Sequence, residues 1–195
     1  KFIIYGGMSS HHIVRENQEP ALIVSSINEL ADEYVGQLLE WSPSIFTDEQ
    51  TIEYFLLRDI KVDFFISQET STVLGQKDIK IIREKKGIII DSLDYLRGHN
   101  YKAVNIIASK VPDNLEEYSG EINIVFFINQ RRYAYVSGSY EKWAVQGTKV
   151  YVDRNVVIAT TGLKVIDENL LESVSDGFYS LSLMPDKYVL VGEDL

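Results

Sequence analysis

An α/β N-terminal part with a mostly parallel sheet, followed by a small all-β C-terminal part of antiparallel-sandwich type, is the architecture the sequence predicts. Three observations predict it. Up to Gly120, short apolar runs alternate with stretches whose apolar residues recur every three or four positions, the grammar of strands joined by crossover helices. Beyond Gly120 the helical period disappears, and short β-branched and aromatic runs follow one another between turn residues. The 195 residues are 45% hydrophobic and 25% charged, enough for one to two ordinary cores. The expected units are residues 1–120 and 121–195.

Taken in order, residues 2–5 read as a strand ending at Gly6-Gly7, and residues 21–24 as a second. Ile27, Leu30, Ala31, Tyr34, Val35, Leu38 and Leu39 form a helical stripe over residues 27–41, with Pro43 as its stop signal. Thr47 is placed to cap the next helix, with Gln50 three residues on, Asp48 and Glu49 at its positive end, and Ile52, Phe55 and Leu56 as its buried face. Residues 62–66 and 79–82 read as strands. Asp91 is expected to cap a short helix that ends at Gly98, before a strand over residues 103–108. In the C-terminal part, residues 122–128, 132–136, 149–152, 156–159, 178–183 and 188–191 read as strands. Asn129-Gln130, Ser137-Gly138, Asp153-Arg154 and Pro185-Asp186 supply turns between them.

Composition removes several function classes. A net charge of −10 argues against nucleic acid and anionic membranes, which require clustered Lys and Arg. No apolar run reaches the roughly 18 residues of a spanning helix. The absence of Cys excludes disulfides, thiolate nucleophiles and Cys-based zinc sites. Together with the absence of any Asn-x-Ser/Thr sequon, it predicts a cytoplasmic protein. Because the sequence opens at Lys1 and not at Met, residues upstream and a removed signal peptide are left open.

Local candidates mostly have plain explanations. Gly6-Gly7 reads as a strand-ending turn, since neither a dinucleotide fingerprint nor a Walker lysine follows. His11 and His12 have only His99 as a further histidine and are rejected as a metal site. Lys77, Lys80, Arg83, Lys85 and Lys86 form a basic island that reads as a solvated face. No Gly-x-Ser-x-Gly elbow occurs.

Motifs near the C-terminus carry more information. Thr160-Thr161-Gly162-Leu163-Lys164 and Ser173-Val174-Ser175-Asp176 stand in the order of the Thr-x-Gly-Leu-Lys and Ser-Asn elements of thiamin pyrophosphokinase. The chain resembles that family over nearly its whole length, with residues 126–143 resembling the strands that open its sandwich domain. The resemblance implies an α/β catalytic domain followed by a β-sandwich that helps bind thiamin, a homodimer, and a ligand region at Thr161, Gly162, Lys164, Ser175 and Asp176. A turn that needs glycine and a solvent-facing lysine explain Gly162 and Lys164 equally well.

The family's catalytic acids are largely absent. A strand running into Gly-Asp-x-Asp-Ser holds magnesium and the ATP phosphates in the family, but Ser67, Gln68 and Thr70 occupy its first three signature positions here, and only Ser71 matches. Asp91 matches the start of Asp-x-x-Lys-Ala-Leu, whereas Asp94 replaces the Lys. Ser25-Ser26-Ile27 replaces Asp-Gly-Gly, and residues 109–120 form a shortened loop in place of Gly-Gly-Arg-x-Asp-His. Val165 replaces the aromatic residue that follows Gly-Leu-Lys. Ser71 and Asp91 are thus the candidate catalytic residues and Asp91 the candidate metal ligand, with magnesium and ATP implied only for an active enzyme.

Three functions follow from these residues. The first is a thiamin pyrophosphokinase-like protein with impaired or lost catalysis that binds thiamin, thiamin diphosphate or a nucleotide. The second is an active transferase of diphosphate from ATP to thiamin, with Asp63, Asp91 or Asp94 rearranged around magnesium. The third is a non-enzymatic interaction protein.

Overall fold

The computed structural model describes residues 19–69 and 75–195. The expected strand at residues 2–5, Gly6-Gly7, His11, His12, Thr70 and the candidate Ser71 lie outside them. Ala21–Val24 (β1) is the centre of the architecture, and all four of its residues are completely buried. Ile45–Thr47 (β2), Phe64–Ser67 (β3) and Lys80–Arg83 (β4) extend the sheet on one side of β1, all parallel. Ala103–Ile107 (β5) and Asn123–Ile128 (β6) extend it on the other, also parallel. Connections advance from β1 to β4 and then return to β5, so the direction of winding reverses between β1 and β5.

Helices cover both faces, as strands buried on both sides require. Asp32–Leu39 (α1) and Ile52–Leu56 (α2) enclose Leu22, Val24, Ile45 and Phe127 on one face. Ile88–Gly98 (α3) and Glu116–Ser119 (α4) enclose Ala21, Ile23, Phe46, Ile106 and Phe126 on the other. The strict alternation along β1 assigns its side chains to the two cores in turn.

From β6 onward the sheet becomes antiparallel. Arg131–Ser137 (β7) returns from β6 through Asn129 and Gln130, both at positive φ, the geometry of a two-residue hairpin turn. Ser139–Ala144 (β8), Lys149–Tyr151 (β9), Val157–Thr161 (β10), Leu163–Asp167 (β11), Leu170–Ser173 (β12), Gly177–Leu183 (β13) and Tyr188–Asp194 (β14) follow. One sheet of eleven strands runs β11-β12-β9-β14-β7-β6-β5-β1-β2-β3-β4, and a second of three runs β10-β13-β8. The three-stranded sheet packs Ala144, Tyr179, Leu181 and Leu183 against Val150, Leu171, Val189 and Val191 of the long one. Between the sheets Glu193 accepts from the Tyr179 hydroxyl at 2.6 Å and pairs with Lys142. Burial, reinforced by that hydrogen bond, pushes the Tyr179 hydroxyl far above its usual value.

Several local expectations are corrected. The stripe over residues 27–41 is split into a short turn at Ile27–Glu29 and α1, because Leu30 and Ala31 are extended. Thr47 caps nothing: it closes β2, and its buried hydroxyl has no partner among the described residues. Asp48 instead satisfies the turn, its Oδ1 accepting from the amides of Gln50 at 3.0 Å and Thr51 at 3.1 Å. Asp91 is not a cap either, since α3 begins three residues earlier, after Gly87, where burial of Ile88 and Ile89 draws the chain into the helix. The parallel ladder also runs past residue 120, where only antiparallel strands were expected, because β6 feeds Ile124 and Phe126 into the N-terminal core.

Gly192 in β14 lies directly opposite Tyr133 in β7, and a Cβ at Gly192 would fall inside the tyrosine ring. That ring packs on the N-terminal core. Gly192→Ala is therefore expected to destabilise by about 1–3 kcal/mol through overpacking, read as a loss of roughly 2–4 °C in melting temperature per kcal/mol.

Candidate functional site

Ligands of doubly wound sheets bind outside the carboxyl ends of the strands, where the winding reverses. That place is between β1 and β5, and a crevice of about 560 Å³ opens there. The chain leaving β1 contributes Ser25, and the chain leaving β2 contributes Asp48 and Gln50. The loop after β5 contributes Ser109, Lys110 and Asp113, and the start of α3 forms the remaining wall. No side chain caps α3. Lys110 is exposed and has no ion pair among the described residues. Lys86, on the same wall, is engaged by Asp94 at 2.9 Å.

The carboxylates named in the sequence occupy separate networks. Asp91, 7% exposed, turns Oδ2 toward the amides of Lys85 at 2.7 Å and Lys86 at 3.0 Å, tying the loop before α3 to its first turn. Asp63 lies before β3, at the opposite edge of the sheet, and accepts from Lys61 at 2.7 Å and the Ile45 amide at 3.1 Å. Asp94 accepts from Lys86, from Arg97 at 3.1 Å and from the Tyr118 hydroxyl at 2.8 Å. Ser67, at the end of β3, donates to Glu49 at 3.0 Å, while Gln68 and Glu69 are exposed and line no part of the crevice. No three Asp, Glu or His side chains converge as a metal site among the described residues. A magnesium ion that neutralises a diphosphate needs hard, charged oxygen ligands. Asp91 and Asp94 are already satisfied by the protein; the carboxylates that line the crevice are Asp48, whose Oδ1 is held by its own turn, and Asp113, exposed after β5, so a magnesium ion there would depend on a ligand's own oxygens for the rest of its shell.

The C-terminal candidates are brought together, away from the crevice. The chain crosses from β10 in the short sheet to β11 in the long one at Gly162, whose φ is +74°. Gly162 accepts from the Val174 amide at 3.0 Å, which sets Thr161 to Lys164 beside Ser175 and Asp176. Asp176 accepts from the Gln146 amide at 2.7 Å, and Lys164 is bound to its cross-strand neighbour Glu172 at 2.7 Å. Thr161 and Ser175 are exposed. Next to this cluster, Phe178 and Trp143 oppose each other on β13 and β8, 67% and 52% exposed. They offer the aromatic surface that Val165 does not. Sequence reading missed them because strand aromatics normally point inward; only the ladder register shows which face they occupy. Lys110 was missed as an ordinary loop lysine, although its position just after an apolar strand was a usable signal.

No model of a known protein family matches this chain, and no curated protein matches it. Solved structures do. Yeast thiamin pyrophosphokinase aligns at a TM-score of 0.66 with 10% identity, covering 94% of this chain and 88% of that one. The thiamine pyrophosphokinase of Bacillus subtilis aligns at 0.60 with 11% identity, covering 89% and 97%. A Lactobacillus plantarum protein aligns at 0.62 with 8% identity, covering 90% and 97%. The fold is thiamin pyrophosphokinase-like. At such identities the likeness extends to the path of the chain and not to its chemistry. No described helix is long and apolar enough to cross a membrane.

Two outcomes follow from this geometry. Gly162→Ala places a Cβ 3.0 Å from the Phe178 carbonyl at a positive φ. It is expected to cost about 1–3 kcal/mol, visible in thermal melting with no ligand present. The second concerns Asp94. Burial works to raise its carboxyl, but hydrogen bonds from Lys86 and Tyr118 and the charges of Lys86 and Arg97 outweigh it and hold the group below 3.8. Burial and the Asp94 hydrogen bond push Tyr118 up to about 12. A depressed folded-state value means that Asp94 stabilises the fold above its unfolded value near 3.9 and loses that contribution as pH falls through the folded value. Wild type is therefore expected to melt above Asp94→Asn at neutral pH, with the two curves converging below about pH 4.

Proposed function

We propose that this chain is a thiamin pyrophosphokinase-like protein that binds a thiamin-type or nucleotide ligand and has lost most or all diphosphate transfer. The crevice at the winding reversal carries the reading: it has lysines, hydroxyls and the volume for a small ligand, but only two carboxylates, Asp48 and Asp113, and no three acids converge among the described residues. Diphosphoryl transfer concentrates negative charge between two ligands, and without acid-held magnesium that charge has no adequate counter-ion. Lys110 can attract an anion, yet a single lysine cannot also align and activate two reactants.

In this reading the units of residues 1–120 and 121–195 correspond to a catalytic-type domain and a thiamin-binding sandwich. The cluster of Thr161, Gly162, Ser175 and Asp176 serves the heterocycle. Exposed Trp143 and Phe178 support that role, since a flat cationic ring is held by aromatic faces and by a nearby carboxylate. Lys164, committed to Glu172, is assigned a structural part. A homodimer, implied by the family resemblance, and a cytoplasmic location, expected from the absence of Cys and of sequons, belong to the same reading.

The test is calorimetric titration of the folded protein with thiamin, thiamin diphosphate and ADP, beside an assay for AMP and thiamin diphosphate formed from Mg-ATP and thiamin. Binding heat with no turnover is expected. Sustained product formation would restore the active-enzyme reading. No heat with any of the three compounds would leave a protein-interaction role.

A further inference from the structure

At the amino ends of β2, β3 and β4, the opposite end of the strands from the crevice, a second cavity of about 360 Å³ opens beside the last turn of α3. We propose that this cavity binds the zwitterion of an aromatic amino acid, with Lys80 meeting the carboxylate, Asp78 the ammonium and an aromatic wall the ring. The proposal goes beyond the reading of the crevice and is independent of it.

The wall is a ladder of rings. Phe46 stacks on Phe64 with centroids 4.3 Å apart, Phe64 meets Tyr95 at 4.6 Å, and Tyr95 stacks on His99 at 3.8 Å and 16°. Tyr95 and His99 are four positions apart at the end of α3, a spacing that puts side chains on one helix face. The ladder begins in the buried core at Phe46 and ends at the exposed His99, and Tyr101 lines the cavity beside it. Aromatic rings favour stacked and tilted contacts, so the exposed end of such a ladder suits one further ring.

The charges of the cavity come in both signs. Asp63 holds Lys61 at 2.7 Å, with only a weaker pull from Asp78, and also accepts from the Ile45 amide at 3.1 Å. The hydroxyls of Ser44 and Tyr101 bond each other at 2.9 Å. Lys80 and Asp78 are left: both are exposed, both line the cavity, and neither forms an ion pair among the described residues. The Lys80 ammonium stands 5.5 Å over the Phe64 ring, which sets that charge against the aromatic wall. A simple anion would be opposed by Asp78, and a simple cation by Lys80. A molecule with one charge of each sign and a ring meets all three features. Being neutral overall, it is also not repelled at long range by a chain of net charge −10.

The full chain is titrated with L-phenylalanine while the imidazole C–H resonances of His99, assigned by their loss in His99→Gln, are followed by NMR. A saturable shift at millimolar or lower concentration is expected. Phenethylamine lacks the carboxylate, N-acetyl-L-phenylalanine the ammonium and glycine the ring, and each is expected to bind at least about tenfold more weakly. Lys80→Met is expected to weaken phenylalanine about tenfold and leave phenethylamine unchanged. Asp78→Asn is expected to weaken phenylalanine about tenfold and leave N-acetyl-L-phenylalanine unchanged. Both residues are exposed, and asparagine tolerates the positive φ of position 78, so both variants are expected to fold. Absence of a saturable His99 shift overturns the inference, as does glycine binding as tightly as phenylalanine. Unchanged phenylalanine affinity in either folded variant overturns it as well. With no thiamin or nucleotide present, these outcomes leave the reading of the crevice untouched.

Discussion

Complete burial of β1 is the constraint on which the remaining structure depends. Ala21, Leu22, Ile23 and Val24 have no exposed surface, and burying apolar side chains of this size stabilises by about 1.5–3 kcal/mol for each large one. A strand buried on both faces needs helices on both faces, and parallel neighbours need crossovers to reach them. The connections leave β1 and β5 toward opposite sides of the sheet at their carboxyl ends. The carboxyl edge between β1 and β5 therefore stays open, and Ser25, Ser109 and Lys110 are presented there whatever chemistry they serve.

Electrostatics then separates scaffold from function. Most acids of this chain are surface charge, but Asp63, Asp91 and Asp94 are engaged by protein donors. Asp91 organises the loop into α3, Asp94 binds that loop to α3 and α4 through Lys86, Arg97 and Tyr118, and Asp63 secures the start of β2. A carboxylate that already accepts from two protein donors keeps its charge but has fewer lone pairs to offer a cation.

The N-terminal fold was legible because its elements carry strong periodicity. Residues 21–24 are a continuous apolar run, residues 103–107 are apolar apart from Asn105, and Tyr34, Val35 and Leu38 mark α1 at helical spacing. β2 was not legible: it is three residues long, and Thr47-Asp48-Glu49-Gln50 has the chemistry of a helix start, which here becomes a strand end followed by a turn. The apolar run Ile88, Ile89 and Ile90 hid the true beginning of α3 behind Asp91, the better capping residue. At the candidate site, the Gly162 cluster could be read because glycine and its neighbours form a local motif. The crevice could not, since Ser25 and Lys110 are 85 positions apart in sequence and meet only through the β1–β5 pairing.

The ladder between β5 and β6 makes the two stretches of sequence inseparable in a practical sense. A fragment ended at residue 120 would expose the whole flank of β5, five residues with Val104, Ile106 and Ile107 buried, as an unpaired parallel edge. It would also remove Ile124 and Phe126 from the core they complete. Such an edge invites association with other chains. The change of grammar near residue 120 thereby marks a seam that cannot be cut.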